Sequence, residues 1–161
     1  NHNSKKCSAC YLKVESRDME MLQSKPGRIV FARLSENEDL LETINLVAEK
    51  SRILAGFFIL IGTLKKANLG YYREGKHETI KVDGPVEIVS CTGNISLKNE
   101  KPFAHAHVSV SNERGEVMGG HVMPGCEIGV IGQLVLIEAA DARLVVKYDE
   151  KTHLSLWSIK K

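Results

Sequence analysis

The sequence has no surplus of charge of one sign, no apolar run long enough for a bilayer, and no second pair of closely spaced cysteines. Its 22 basic and 20 acidic residues leave a formal net charge of +2, so the total gives no argument for nucleic-acid binding. No helix-turn-helix, zinc finger or arginine-rich helix is legible, and Lys65-Lys66, Lys98, Lys101 and Lys160-Lys161 are scattered. The longest apolar run, Ile53 to Leu64, is interrupted by glycines and is too short for a span of about 20 residues. With no signal-peptide pattern before it, the expectation is a soluble, cytoplasmic chain with no membrane partner. Cys7-x-x-Cys10 lacks the second C-x-x-C of a zinc knuckle and the βαβ context of a redox pair, so both thiols are expected to be incidental. Cys91 and Cys126 sit inside apolar runs, where cysteine packs as a small hydrophobe. Linkers, repeats and low-complexity tracts are also lacking. A chain of 161 residues with 43% hydrophobic content is expected to form one domain, residues 25–161, behind a polar and partly flexible extension, residues 1–24.

What is present is a succession of strands around one helix. Lys25-Pro26-Gly27 is a turn signal, and Arg28 to Leu34 follows as a strand. Ser35 with Glu38 three residues later reads as a capping box opening a helix over about 36–51. Leu40, Leu41, Ile44, Val47 and Ala48 form its apolar stripe, while Glu42, Asn45 and Glu49 face water. Ala55 to Leu64 is continuously apolar, as in a strand covered on both faces by helix and sheet or by a subunit partner. An outer hairpin is expected from 67–72 and 78–82. A turn follows at Asp83-Gly84-Pro85, then a long strand over Val86–Ile95. Glycines within Glu127–Glu138 predict curvature or a bulge, and Ala142–Tyr148 is expected to pair beside that run. One helix among about eight strands predicts an α+β domain with a mostly antiparallel, curved sheet.

The stretch Phe103 to Met123 carries three of the six histidines. Ala104, Ala106, Val108 and Val110 alternate with His105, His107, Ser109 and Ser111, the period of a half-buried strand, so the imidazoles face away from the core. The turn decides whether His121 joins them. A three-residue loop, Glu113-Arg114-Gly115, pairs Asn112 with Glu116 and sets His107 opposite His121. A two-residue loop sets His107 against Gly120 and turns His121 to the other side, because a one-residue slip flips every side chain. Under the first register, three neutral imidazoles suit zinc or another divalent transition metal with an open coordination position. Gly119 and Gly120 then admit a backbone, a ligand or a neighbouring subunit. The alternative is an exposed strand that happens to carry histidines. Candidate acid–base neighbours are Glu87, Glu100 and Glu127, each of which is also a plain solvated glutamate on a strand.

Glu87-Ile88-Val89-Ser90-Cys91-Thr92-Gly93-Asn94, His105-Ala106-His107 with Val108 to Ser111, then Gly115, Val117, Gly119-Gly120-His121-Val122 and Gly125-Cys126 resemble the PPC domain shared by plants and prokaryotes. The likeness runs from about Gly27 to Trp157. It implies an α+β fold, assembly as a homotrimer, and a histidine cluster near a subunit boundary. In plants the domain accompanies an AT-hook in nuclear DNA-binding proteins. The hook's Arg-Gly-Arg-Pro core is missing here, and Gly84-Pro85-Val86 stands where the plant members have Gly-Arg-Phe, so DNA enters as a partner by family analogy alone. The histidine layout is also similar to that of acetolactate decarboxylase, a metal-dependent lyase. Two readings follow. One is a trimeric binding or regulatory module with a metal site at His105, His107 and His121. The other is a metal-dependent enzyme acting on a small carbonyl or carboxylate compound, with the ion as Lewis acid.

Overall fold

The structure is a computed structural model that describes residues 10–13 and 20–159; Cys7 lies outside them, and of Cys10 only the backbone is described. Strand β1 (Cys10–Lys13) pairs antiparallel with β2 (Glu20–Gln23) as a separate ribbon. The chain continues through β3 (Pro26–Leu34), α1 (Leu40–Ser51), β4 (Gly56–Arg73), β5 (Lys76–Lys98), β6 (Lys101–Ser111), β7 (Val117–Val122), β8 (Glu127–Ala139), β9 (Val146–Asp149) and β10 (Leu154–Trp157). Six strands form one antiparallel sheet in the order β3-β8-β4-β5-β6-β7. It curves until β7 returns to β4, where Leu69 pairs with Val122 and Gly70 with His121. Strands β4 to β7 therefore close a ring, and the whole is the mostly antiparallel α+β fold that the pattern predicts.

Side-chain alternation fills that ring. Phe58, Leu60, Leu64, Ile95, Ala106, Val108, Val110 and Ile128 point inward and are buried, and α1 adds Leu40, Ile44 and Ala48. Each large side chain of this kind contributes about 1.5–3 kcal/mol by leaving water. Within the protomer the apolar run at the start of β4 is covered on one face. Phe58 and Leu60 are buried, but Phe57, Ile59 and Ile61 are half exposed, so one face of this strand is open in the protomer. The continuous hydrophobicity of 55–64 conceals an ordinary period of two, because the residues on the open face are apolar as well.

The helix starts four residues later than the capping box suggests. Ser35 and Glu38 do bond reciprocally, the Ser35 amide to Glu38 Oε2 at 2.7 Å and the Glu38 amide to the Ser35 carbonyl at 3.3 Å, but they close a turn. The cap is Asp39, whose Oδ1 accepts from the Glu42 amide at 3.0 Å and whose Oδ2 accepts from the Gly125 amide at 2.8 Å. Start and strand are tied together, since the Leu40 amide donates to the Cys126 carbonyl. At the other end Arg52 takes the left-handed conformation and closes the helix on Ala48 and Glu49. Asn45 does not simply face water: its Oδ1 accepts from the amide of Ala104 at 2.7 Å, pinning the helix to the histidine-bearing strand.

Other boundaries move for similar reasons. Pro26 and Gly27 already belong to β3. The expected outer hairpin is the far end of β4 and β5, turning at Glu74-Gly75, where φ is 49° and 82°. Asp83-Gly84-Pro85 makes no turn; Lys66 pairs with Asp83 and Leu64 with Val86, so Gly84 and Pro85 share Lys65 as a bulge inside one continuous strand. Glycine-rich β8 shifts register against β4 on either side of Leu64. The strand expected beside it, at 142–148, instead forms β9 and pairs with β10. Among the described residues, no helix is long and apolar enough to cross a membrane.

Cys91 and Cys126 are free and buried in the core. Burial first, and the neighbouring Cys126 second, push the Cys91 thiol up to about 12. An unfolded thiol ionises near about 8.5. The stabilisation from keeping Cys91 protonated is therefore complete below that pH and is lost as pH rises toward 12. Urea midpoints should fall across this interval, with Cys91→Ala flattening the slope. Asp39→Ala should cost about 1–2 kcal/mol in urea denaturation, the value of a lost cap, whereas Ser35→Ala should cost less than about 0.5 kcal/mol.

Candidate metal centre

The β6–β7 hairpin is built as the three-residue loop requires. The Asn112 amide donates to the Glu116 carbonyl at 3.1 Å, and the Gly115 amide donates to the Asn112 carbonyl at 3.0 Å. Gly115 sits at φ 74°, the left-handed position that favours glycine. Asn112 Oδ1 accepts from the amides of Arg114 and Glu116, and Glu116 accepts from Asn112 Nδ2 and the Arg114 guanidinium. Those two donors hold the Glu116 carboxyl below the usual carboxylate range. The resulting register sets His107 directly opposite His121, and the slipped alternative is not the one adopted.

His105 lies two residues along the same face. The ring centroids are 5.4 Å apart for His105 and His107, 4.9 Å for His105 and His121, and 5.4 Å for His107 and His121. One ring nitrogen from each lies within 4.8 Å of the others, with His105 and His107 exposed and His121 half-buried. A tetrahedral zinc holds its nitrogens about 3.3 Å apart, so small rotations about the side-chain bonds close the gap. Three imidazoles without thiolate or carboxylate fit zinc, copper, iron or nickel better than the oxygen-seeking magnesium and calcium. Three protein ligands also leave a coordination position for water or a ligand.

Of the glycines beside His121, Gly120 serves sheet closure and Gly119 serves close pairing with β6. A side chain at Gly120 would meet the Gly70 carbonyl oxygen at 2.8 Å, and one at Gly119 would meet the Val108 carbonyl at 2.7 Å. On β4 the residue facing His121 is Gly70, where a side chain would meet Met123 Sδ at 2.9 Å and His121 Cβ at 3.3 Å. The backbone of β4 is what comes close, and Gly70 was not marked by any signal in the sequence around it.

Residues 21–140, most of the chain, match the model of the Plants and Prokaryotes Conserved domain. The chain belongs to that family. Among solved structures this family member is similar to a metal-containing protein from Archaeoglobus fulgidus, at 30% identity and TM-score 0.80, covering 87% of this chain and 99% of that one. It is also similar to a plant- and prokaryote-conserved protein from Pyrococcus horikoshii, at 34% identity and TM-score 0.79, covering 86% and 96%. A protein from Bacteroides thetaiotaomicron, provisionally named as DNA-binding, shares the fold at 19% identity and TM-score 0.77, covering 95% and 99%. Among curated proteins the chain is similar to the bifunctional protein GlmU of Synechococcus sp. strain JA-2-3B'a(2-13), 28% identical over 141 residues. The chain spans about a fifth of the length of the curated relatives it matches, 85% of this chain lying on 21% of that protein.

In this member of the Plants and Prokaryotes Conserved family the three glutamates considered beside the histidines lie elsewhere. Glu127 is ion-paired with Lys66 at 2.7 Å, which lowers its carboxyl. Glu100 is paired with Arg143. Glu87 pairs in register with Ser111, four residues along β6 from His107, or about 13 Å at strand rise. The groups that do flank the cluster are Thr92 opposite His107 and Asn94 opposite His105. Asn94 Oδ1 is buried without a hydrogen-bond partner, and that orphaned acceptor is the residue sequence reasoning passed over. Gly120→Val should destabilise by about 1–3 kcal/mol through overpacking against β4. Gly115→Ala should cost about 1–2 kcal/mol from the backbone alone, its Cβ meeting nothing within 4 Å; both are read from urea midpoints.

Proposed function

We propose that residues 25–161 form a self-associating binding module in which His105, His107 and His121 hold one divalent transition ion, zinc or a similar metal, per protomer. The observation that carries this reading is the convergence of three imidazole nitrogens within 4.8 Å on the outer face of a closed sheet. The name of the Archaeoglobus fulgidus protein, metal-containing at 30% identity, supports it. In such a site the ion supplies a Lewis acid with one open position. The closed β4–β7 edge fixes the backbone beside His121. The engagement of Glu100 and Glu127 in ion pairs elsewhere favours binding over acid–base turnover. The unpaired thiols Cys91 and Cys126 accord with a cytoplasmic setting.

The occupant we assign to the open face of β3, β4 and β8 is a second and a third copy of this chain. Phe31 is 77% exposed and Val130 79%, and Ile59 and Ile61 line a groove of about 520 Å³ with Phe31 and Val135. Contiguous apolar surface of this kind marks an association site. DNA ranks behind this reading. Arg28, Lys65, Lys66, Arg114 and Arg143 are each ion-paired to a carboxylate, which leaves fewer free cations to track a phosphate backbone.

Cobalt(II) titration followed by absorbance should saturate at one equivalent per chain. His107→Ala should weaken binding by more than about 100-fold, beyond the loss expected for an outer-shell residue. Light scattering should give a mass three times that of one chain. Less than about a tenth of an equivalent of bound zinc or cobalt, with His107→Ala changing nothing, would falsify the metal reading, and a monomer would remove the assembly.

A further inference from the structure

A cavity of about 760 Å³ lies over the three histidines, between the outer face of β5 and β6 and the β9–β10 hairpin. Two side-chain hydrogen bonds tie the hairpin to the sheet. Tyr72 donates its hydroxyl to the Thr152 carbonyl at 2.7 Å, and Lys98 Nζ donates to Ser155 Oγ at 3.2 Å. The residues that form this roof lie beyond the segment matched to the family, which ends at 140.

The chemistry of the lining is one-sided. Lys98 and four histidines contribute to the walls, and among the described residues no aspartate or glutamate does. The fixed charge of this lining is the Lys98 ammonium, which favours an anionic guest. Lys98 Nζ lies 5.1 Å from the Phe103 ring centroid, and its ammonium keeps donors beyond the one given to Ser155. Aromatic surface is exposed around the same space: Tyr148 and Trp157 on the roof line it and remain well exposed to solvent, with Phe103 on the floor. Exposed rings beside a cationic centre suit a guest with an apolar or aromatic body. The third element is the orphaned Asn94 Oδ1, an acceptor opposite His105 and in want of a donor.

Position along the strand converts these features into a ligand shape. Asn94, Ser96 and Lys98 alternate down the same face of β5, so the acceptor and the ammonium are separated by four residues, about 13 Å of strand. Their side chains reduce the gap to the length of a small organic molecule. We propose that this cavity binds an elongated hydroxycarboxylic acid. Its carboxylate lies at Lys98 and Ser155, its apolar body lies between Phe103 and Trp157, and its hydroxyl lies at the three-histidine centre, donating a hydrogen bond to Asn94 Oδ1. The hydroxyl end rests on the metal reading above; the carboxylate end does not.

Calorimetry tests this with 3-(4-hydroxyphenyl)propionate as probe, together with its neutral amide and its deoxy analogue, 3-phenylpropionate, on zinc-loaded and chelator-treated protein. The acid should bind the loaded protein at submillimolar concentration. Lys98→Met, which keeps the stem over Phe103, should weaken the acid at least tenfold and leave amide binding and zinc stoichiometry unchanged. Asn94→Ala should narrow the advantage of the hydroxylated acid over its deoxy analogue on the zinc-loaded protein. Zinc failing to bind while the acid still depends on Lys98 would remove the metal reading and retain the anion site. Acid and amide binding equally, Lys98→Met without effect, or no binding of the acid to either form at millimolar concentration would each overturn the proposal.

Discussion

A strand presents successive side chains to opposite faces, and in this protein that rule gives one loop control over a whole site. Three residues between Asn112 and Glu116, closed by Gly115 in the left-handed region, set His107 against His121. One residue fewer would have turned His121 toward the interior and a neighbouring apolar residue toward solvent. The loop is held by hydrogen bonds within its own tip, from Asn112 and Glu116, so its geometry does not depend on distant contacts. The core reinforces the same register, since Val108, Val110 and Val122 are buried only when the histidines lie outside.

Closure of the sheet turns a hairpin into a site. Where β7 returns to β4, Gly70 and Gly120 allow the two backbones to meet beside His121. Side chains at these positions would fill the space around the imidazole. From the other direction, α1 takes the amide of Ala104 through Asn45 and so holds the start of β6. The histidine face is thus braced by a helix and by a closed edge, while the apolar face of β3, β4 and β8 is left uncovered within the protomer. The two faces divide the chemistry, one offering nitrogen donors and the other apolar area.

Much of this was legible in residue order because the signals are local. The alternation of Ala104 to Ser111, the glycine at the end of the loop and the helical stripe from Leu40 to Ala48 each act within a few residues. The helix start was misplaced because Ser35 to Glu38 and Asp39 to Glu42 offer the same spacing, and what separates them is the amide of Gly125, which bonds Asp39. Gly84-Pro85 carries a turn signal but sits across from Lys65 with one residue too many, so the strand absorbs it as a bulge. The glutamates at 100 and 127 could not be placed from order alone, since each is claimed by a cation distant in sequence, Arg143 and Lys66. Asn94 gives no sequence signal of its own; its significance lies in facing His105 and in lacking a partner.

The amino-acid order by itself determined the class of fold, the outward direction of His105 and His107, and the inward-facing residues of β6 and of the helical stripe. Those follow from periodicity and turn chemistry, which operate over neighbouring residues. Tertiary structure decided where the helix begins and which strand edge closes on His121. It also placed β9 and β10 over the histidines, where they enclose a cavity that, among the described residues, has no carboxylate in its walls. Those outcomes depend on hydrogen bonds and contacts between residues far apart in the chain, and only the folded backbone brings such pairs within reach of one another.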